Sequence, residues 1–246
     1  MKIRVKVERR ETPITAPHFD IFELDVDETA NIISVLMEIR KNPVTVDGRK
    51  VSPVAFECSC LEEVCGACTM NINNKARQAC SALVKDLGSE IELAPLRKFP
   101  IIRDLVVDRR KIFQGLRRIK GWIPIDGTHG MGPGPKVPEK VQRIGYKLSR
   151  CMSCGVCMES CPQVNDRSNF IGPAVIAQAL LFNLHPTGAM IKEDRFEALM
   201  EEGGISECGN AQNCVKSCPK QIPLTFSIGK LNRDTLIYSI KKLLES

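Results

Sequence analysis

The stretch "CMSCGVCMESCP" at residues 151–162 places four cysteines within eleven residues. Cys151, Cys154 and Cys157 are spaced C-x2-C-x2-C, and Cys161 stands directly before Pro162. Thiols at this density either bind metal or pair as disulfides. The chain opens with "MKIRVKVERRE", which lacks the apolar core of a signal peptide, and it contains no apolar run long enough to span a bilayer. We therefore expect a cytosolic setting, where dense cysteines more often serve metal or redox chemistry.

A second stretch, "CGNAQNCVKSCP" at residues 208–219, repeats the pattern with one change. Cys208, Cys214 and Cys218-Pro219 occupy the matching positions, but Ala211 stands where the second cysteine belongs. In two-cluster bacterial ferredoxins, each C-x2-C-x2-C-x3-C-P run holds one cluster with three thiolates and gives its last thiolate to the other cluster. The two runs therefore predict two iron–sulfur clusters that exchange their last ligands.

This exchange predicts two different clusters. The ligands of a 4Fe–4S cluster are Cys151, Cys154, Cys157 and Cys218. The other site has only Cys161, Cys208 and Cys214, because the methyl group of Ala211 cannot bind iron. An iron without a protein ligand is easily lost, so we expect a 3Fe–4S cluster with a raised potential. A zinc ion or buried unligated thiols would explain neither the repeated Cys-Pro ending nor the matched gaps.

A third group of cysteines lies in "CSCLEEVCGACTMNINNKARQAC" at residues 58–80. Its predicted ligands are Cys60, Cys65, Cys68 and Cys80, since C-x4-C-x2-C followed by a later cysteine is the spacing of a plant-type 2Fe–2S site. Gly66 would let the backbone approach the cluster with an unusual φ. Zinc remains the alternative, although its ligands usually come as two C-x2-4-C pairs. We interpret Cys58 as a small buried hydrophobe, without a ligand role.

The sequence before Pro100 predicts a small sheet curled over one helix. Apolar residues alternate in "KIRVKV" and "IFELDVD", which indicates two strands, and "TMNIN" and "EIELAPL" indicate two more. Between them, "TANIISVLMEIRKNP" has the apolar periodicity of a helix. We expect Thr29 to cap this helix and Pro43 to end it.

From about Phe99 onward the pattern is helical. Helices are predicted in "RRKIFQGLRRIK" and "PEKVQRIGYKLSR" and in segments beginning at Pro173 and Thr225, and the Gly/Pro-rich "GTHGMGPGPKVP" at 127–138 is predicted to be a loop. The fold class is therefore α+β, with a first domain at 1–103 and a helical domain at 104–246.

Charge and composition limit the functions open to the chain. The net charge of +6 is mild and does not call for nucleic acid. Seven basic residues lie at 103–120: Arg103, Arg109, Arg110, Lys111, Arg117, Arg118 and Lys120. They predict a solvated helix face or, alternatively, a docking face for a protein or lipid partner. No catalytic triad is evident, and His18, His129 and His185 are interpreted as surface or structural residues. We therefore expect an electron carrier with no catalytic residue of its own.

The order of the three cysteine groups, "CLEEVCGAC", "CMSCGVCMESCP" and "CGNAQNCVKSCP", resembles the iron–sulfur subunits of succinate dehydrogenases and fumarate reductases. The resemblance covers nearly the whole chain, including "FPIIRDLVVDR", "FIGPA" and "CPKQIPLT". Segments such as "VLMEIRKNPV", "WIPIDGT" and "LFNLHPTGAM" are similar to the Bacillus-type, menaquinone-linked branch of this family.

The resemblance implies an N-terminal β-grasp domain of plant-type ferredoxin kind and a C-terminal all-α domain of two-cluster ferredoxin type. It also implies a flavoprotein partner carrying covalent FAD, a membrane anchor with a dihaem cytochrome b, and menaquinone as electron partner near the 3Fe–4S cluster. Electrons would pass from FAD through the 2Fe–2S, 4Fe–4S and 3Fe–4S clusters to the quinone. The subunit would lie at the cytoplasmic face of the membrane, held peripherally by its anchor.

Two departures from the ubiquinone-linked members of this family concern the quinone site. The segment after Pro162 contains no tryptophan, since the only one in the chain is Trp122, and Gly209 stands where those enzymes have a histidine. Pro162, Gln163 and Lys230 are quinone candidates by neighbourhood alone. Two other functions stay open: an electron-transfer subunit of a different flavin oxidoreductase, and a zinc-stabilised interaction module.

Overall fold

The computed structural model describes residues 1–124 and 136–245, which form two compact units. The first unit comprises Met1–Arg109 and Met152–Glu159, and the second comprises Arg110–Cys151 and Ser160–Ser246. The predicted boundary at 103/104 lies a few residues before this division. Met152–Glu159, which is part of the cysteine-rich stretch at 151–162, also belongs to the first unit. Most of the predicted Gly/Pro-rich loop, together with His129, lies outside the described residues.

The first unit is built on a five-stranded sheet in the order β2-β1-β5-β3-β4, and a separate two-stranded sheet pairs β6 with β7. The strands are β1 (Lys2–Arg9), β2 (His18–Asp25), β3 (Thr69–Ile72), β4 (Lys75–Gln78), β5 (Glu90–Ala94), β6 (Ile101–Arg103) and β7 (Val106–Val107). Strand β1 is antiparallel to β2 and parallel to β5. The four expected strands are confirmed as β1, β2, β3 and β5.

One helix, α1 (Ile32–Lys41), packs its apolar face into the core of the first unit. Its buried residues follow helical spacing: Ile32, Ile33, Val35, Leu36 and Ile39. The expected cap was wrong. Asn31 is the N-cap, because its Oδ1 accepts the backbone N–H of Ser34 at 2.9 Å, whereas the Thr29 hydroxyl donates to Asp27. The helix ends at Lys41, just before Asn42 and Pro43, as expected from the proline.

Two further short helices complete the first unit, α2 (Val84–Leu87) and α5 (Val156–Glu159). Its core is one contiguous cluster to which four strands of the sheet contribute Val5, Phe22, Met70 and Leu93, each almost fully buried. The predicted sheet curled over a helix is confirmed.

The described part of the second unit is helical. Its α-helices are α3 (Arg110–Arg118), α4 (Glu139–Ser149), α6 (Pro173–Leu184), α7 (Lys192–Met200), α8 (Asn213–Ser217) and α9 (Leu224–Glu245). Helix α6 packs against α3, α4, α7 and α9, and it is apolar on nearly all sides, as expected of a central helix. The expected helices at α3, α4, α6 and α9 are confirmed, whereas α7 and α8 were not predicted.

A buried arginine fixes the chain that leaves α3. Arg195 is fully buried, and its guanidinium donates to the carbonyl oxygens of Lys120 (3.0 Å), Trp122 (2.7 Å) and Gly188 (2.6 Å). It also donates to Oδ1 of Asn183 at 3.0 Å. Burial of the guanidinium lowers the pKa of Arg195, and the nearby carboxylate of Asp194 acts in the opposite direction.

Within residues 1–124 and 136–245, no single helix is both long and apolar enough to cross a membrane. The pair Pro173–Leu184 and Gly188–Met200 would pass by length and composition only, with a bend of 119° between its halves.

Candidate functional site

The loop that carries Cys60, Cys65 and Cys68 turns its backbone amides toward its own sulfur atoms. The N–H groups of Glu62, Val64 and Cys65 donate to Sγ of Cys60 at 3.3–3.4 Å. Leu61 and Glu63 make this possible by adopting positive φ values of 60° and 54°. Successive N–H groups in such a conformation form a concavity that binds anions, including the sulfurs of iron–sulfur sites. This loop therefore fits a thiolate-held cluster.

The four thiols of this first thiol group (Cys60, Cys65, Cys68 and Cys80) lie in pairs. Cys60 is within hydrogen-bonding reach of Cys65, and Cys80 of Cys68. Two pairs of thiols match the need of a 2Fe–2S cluster, in which each tetrahedral iron takes two protein ligands and two bridging sulfides. Within the described ranges, no three His, Cys, Asp or Glu side chains are arranged around one point as ligands of a single ion.

The two pairs differ in their electrostatics. The amides of Glu62, Val64 and Cys65 lower the pKa of Cys60 to about 6, because they stabilise its thiolate. Burial raises the pKa of Cys80 to about 11, and its hydrogen bond with Cys68 adds to this. A donated N–H from Glu63 at 3.3 Å acts in the opposite direction on Cys80. The Cys60–Cys65 pair is therefore the more exposed and receives several N–H donors, whereas the Cys68–Cys80 pair is buried.

Arg109 stabilises the loop that carries Cys65 and Cys68 by hydrogen bonds to its backbone. Its guanidinium donates to the carbonyl oxygens of Gly66 at 2.8 Å and Ala67 at 2.6 Å, and it lies 3.6 Å from the carboxylate of Glu57. The hydroxyl of Thr69 also donates to the Gly66 carbonyl at 2.7 Å. Sequence reasoning missed this role of Arg109, because its partners are more than 40 residues away and nothing local signals the contact.

The segment Met152–Glu159, which carries Cys154 and Cys157, meets the same loop. Gly66 touches Cys154 so closely that a Cβ at position 66 would lie 2.8 Å from the Cβ of Cys154. Glu159 fastens the end of the segment, since its carboxylate accepts the N–H groups of Arg97 (2.8 Å) and Lys98 (3.0 Å). The role of Glu159 was also missed by the sequence interpretation.

In the second unit, three predicted ligands line one recess, the Cys161 recess. The recess has about 340 Å³ of empty space, part of it open to solvent. Its lining includes Cys161, Cys208 and Cys214, and Ala211 lines it as well. Asn210 and Gln212 flank Ala211 with positive φ values of 51° and 60°. Three thiols and one methyl group thus face a common space, which is the donor set expected for three irons.

Burial and neighbouring thiols both affect Cys214. Burial is the larger influence and raises the pKa of Cys214, and the nearby Cys161 and Cys208 raise it further, while the N–H of Val215 lowers it. A buried thiol whose ionisation is penalised in this way gains from a bound cation that neutralises its thiolate.

The remaining predicted ligands are divided between the two units. Cys154 and Cys157 belong to the first unit, and Cys151 and Cys218 to the second. In the second unit, the N–H of Ile222 donates to Sγ of Cys218 at 3.4 Å, a contact typical of the surroundings of a cluster ligand. No cysteine among the described residues forms a disulfide.

Cys58 packs against the hydrophobic core of the first unit and is half-buried, so it is less enclosed than the interpretation as a buried hydrophobe expected. The two described histidines each contact a residue close to them in sequence. His18 is exposed and lies 4.0 Å from Asp20, and Nδ1 of His185 accepts the Gly188 N–H at 3.2 Å.

The quinone candidates separate into two kinds. Pro162 and Gln163 line the Cys161 recess, whereas Lys230 is not part of its lining and forms an ion pair with Asp234 of α9 at 2.7 Å. The Gln163 side chain fills the space above Gly209, where a Cβ would come within 2.6 Å of its Nε2. Any residue larger than glycine at 209 would therefore displace Gln163.

The basic residues at 103–120 do not form one solvated face. Arg109 supports the loop of the first thiol group, and Arg118 donates to the carbonyl oxygens of Ala198 (3.4 Å) and Glu202 (2.6 Å). Lys120 pairs with Asp194 at 2.6 Å. Arg117 is exposed. Part of this charge serves the fold, which neither interpretation anticipated.

Two family models match the chain in the order of the two units. A model described as "2Fe-2S iron-sulfur cluster binding domain" matches residues 2–114, and one described as "4Fe-4S dicluster domain" matches residues 147–222. The matches bracket the first thiol group and both Cys-Pro runs.

Curated relatives agree over nearly the full length. The chain is 54% identical to the succinate dehydrogenase iron-sulfur subunit of Bacillus subtilis, covering 99% of this chain and 96% of the relative. It is 30% identical to the fumarate reductase iron-sulfur subunit of Wolinella succinogenes, covering 95% and 96%. Among solved structures, a chain of the Mycobacterium smegmatis Sdh1 complex in the apo form has a similar fold, with a TM-score of 0.77, 22% identity and 95% coverage of both chains.

Proposed function

Because the chain belongs to the family of iron–sulfur subunits of succinate dehydrogenases and fumarate reductases, we propose that it conducts electrons between FAD in a flavoprotein and menaquinone at a dihaem cytochrome b anchor. Members of this family are the electron-transfer subunits of an oxidoreductase complex. They carry 2Fe–2S, 4Fe–4S and 3Fe–4S clusters, and FAD and haem belong to the partner subunits. The flavoprotein and a membrane anchor are the partners.

The proposal assigns eleven of the twelve cysteines to clusters, which supply one-electron carriers when bound. The 2Fe–2S ligands are Cys60, Cys65, Cys68 and Cys80; the 4Fe–4S ligands are Cys151, Cys154, Cys157 and Cys218; the 3Fe–4S ligands are Cys161, Cys208 and Cys214. The observation that carries the assignment is the Cys161 recess, where three thiols share a space with Ala211. A fourth ligand is missing at the position where the sequence repeat requires one.

This chain's own residues hold the clusters and adjust their surroundings. The amides of Glu62, Val64 and Cys65 stabilise negative charge on Cys60, and Arg109 keeps the Gly66 and Ala67 carbonyls in place. Hydrogen bonds to sulfur and nearby positive charge both favour the reduced form of a cluster. The substrate chemistry lies in the flavoprotein.

We place the quinone beside the Cys161 recess, with Pro162 and Gln163 as its neighbours in this chain. Two observations support this position: both residues line the recess, and Gln163 occupies the space above Gly209. Lys230 has no comparable support, because it is paired with Asp234 outside the recess lining. We propose further that the subunit sits at the cytoplasmic face of the membrane, held by the anchor.

The test uses the complex purified through a tag on this chain. Succinate is added anaerobically, and reduction of the clusters is followed by electron paramagnetic resonance (EPR). The proposal predicts a copurifying flavoprotein and loss of an oxidised-state 3Fe–4S signal on addition of succinate, with electrons passing on to added menaquinone. Malonate, a competitive analogue of succinate, serves as the control and should prevent the reduction.

Two other results would each point elsewhere. If a flavoprotein copurifies but succinate does not reduce the clusters, the chain would belong to a different flavin oxidoreductase. A colourless chain containing zinc and no acid-labile sulfide would indicate an interaction module.

A further inference from the structure

Gly66 lies at the point where the loop of the first thiol group touches the Cys154 segment, and both lie in the first unit. Its φ is +72°, and a Cβ at this position would lie 2.8 Å from the Cβ of Cys154 and 3.0 Å from its Cα. The carbonyl oxygen of Met152 would be 3.1 Å away. Carbon atoms in contact prefer 3.5–4.0 Å. Any side chain at 66 would therefore push the two segments apart by roughly 1 Å.

Neither segment can yield easily. The Gly66 carbonyl accepts hydrogen bonds from Arg109 and from the Thr69 hydroxyl, so the loop is held on its far side. The Cys154 segment is held by Glu159 through the N–H groups of Arg97 and Lys98. The short distance between Gly66 and Cys154 is thus fixed by contacts on both sides.

We propose that Gly66 is a positioning residue for electron transfer: the absence of a side chain sets the close approach between the loop ligated through Cys65 and the loop ligated through Cys154. The inference rests on the proposed function, because these cysteines are cluster ligands only under it. The transfer would oxidise a 2Fe–2S cluster held by the first thiol group by one electron and reduce a 4Fe–4S cluster held in part by Cys154 by the same electron. No bond or proton is exchanged.

The steric origin of the effect can be separated from backbone strain. Gly66→Ala introduces a methyl group at a positive φ and also at a crowded position. Gly48 has a similar φ of +79°, but nothing lies within 4 Å of a Cβ placed there. Gly48→Ala therefore imposes comparable strain without crowding and is the matched control.

The experiment compares the wild-type complex with both variants after full reduction. Iron, acid-labile sulfide and the EPR signal of each cluster are measured first, to establish that both clusters are present. Microwave power saturation of the reduced 2Fe–2S signal then reports its magnetic coupling to the neighbouring reduced cluster. We expect Gly66→Ala to saturate at a power lower than wild type by a factor of roughly 1.5–2, because dipolar coupling falls steeply over the displacement of roughly 1 Å, with Gly48→Ala unchanged.

Each outcome decides the matter. Equal saturation in all three proteins, with full cluster content, would overturn the inference while leaving the proposed function intact. Absence of clusters from the wild type would instead refute the proposed function. If Gly66→Ala fails to retain its clusters, the same comparison is made with Arg109→Gln. This variant removes the guanidinium that holds the loop through the carbonyl oxygens of Gly66 and Ala67. Weakened coupling in that variant supports the inference, and unchanged coupling overturns it.

Discussion

Glu159 accepts a hydrogen bond from the backbone N–H of Arg97 at 2.8 Å, across 62 residues of sequence. Its carboxylate also accepts the N–H of Lys98 at 3.0 Å and the side-chain amide of Asn71 at 3.1 Å. This one acidic side chain thus anchors the end of the Met152–Glu159 segment within the first unit. The position of Cys154 and Cys157 depends on it.

Replacing Glu159 should destabilise this attachment. Glu159→Ala leaves the N–H groups of Arg97 and Lys98 without their acceptor, and we expect a loss of about 1–3 kcal/mol in the free energy of unfolding. Glu159→Gln keeps one acceptor oxygen and should lose less. Denaturant unfolding of the cluster-loaded protein measures both. Glu11→Ala, at an exposed bend, is the control, and an equal effect there would contradict the anchoring role.

The basic residues of α3 should divide by their contacts. Arg118→Glu removes two hydrogen bonds to carbonyl oxygens and places a like charge beside Glu201, which lies 3.4 Å from the guanidinium. We expect a loss of about 1–3 kcal/mol in the free energy of unfolding. The exposed Arg117→Glu should change it by less than about 0.5 kcal/mol.

Arg117→Glu is therefore the variant that tests the docking interpretation. Loss of copurification with a partner in a normally stable Arg117→Glu protein would support a docking face, and unchanged copurification would discard it. If Arg118→Glu were as stable as wild type, its structural role would be wrong.

Ala211→Cys supplies the thiol that the second Cys-Pro run lacks. Because Ala211 lines the Cys161 recess, the new thiolate can hold a fourth iron. We expect the oxidised-state 3Fe–4S signal to disappear and the midpoint potential of this site to fall, since cluster type and charge control the potential. Ala211→Ser, similar in size but a poorer iron ligand, is the comparison. A 3Fe–4S signal that persists in Ala211→Cys would contradict the assignment.

Cys60 should react before Cys80 in protein stripped of iron. Its pKa is lowered to about 6, so its thiolate forms as the pH rises past that value, whereas Cys80, with a pKa raised to about 11, stays protonated. Iodoacetamide labelling across pH, followed by mass spectrometry, should give a midpoint near 6 for Cys60 and almost no labelling of Cys80 at neutral pH. Circular dichroism confirms that the stripped protein is folded. Equal labelling of the two thiols would contradict the distinct environments.

The repeating features of the sequence predicted the fold well. Cysteine spacing and the alternation in β1 and β2 depend on local geometry, which a single sequence displays. The helix cap was wrong because Thr29 and Asn31 are both suitable residues, and the choice depends on Asp27 holding the threonine hydroxyl.

What the sequence could not predict depends on contacts between distant residues. Nothing near Glu159 indicates that it accepts the N–H groups of Arg97 and Lys98. Gly66 was expected to approach a cluster, but its contact with Cys154 becomes visible only when the two loops are folded together. In the sequence Arg109 is one of seven basic residues at 103–120. Its hydrogen bonds to the Gly66 and Ala67 carbonyls join residues more than 40 positions apart, so the charge pattern does not indicate them.

The central claim is that eleven cysteines hold three clusters of different type, one of them short of an iron because residue 211 is alanine. EPR of the anaerobically purified complex, with iron and acid-labile sulfide determined on the same sample, tests this most directly. The account predicts an oxidised-state 3Fe–4S signal, a 2Fe–2S signal on reduction, and iron and sulfide in amounts matching one cluster of each type. A sample with zinc in place of iron and no acid-labile sulfide would contradict it.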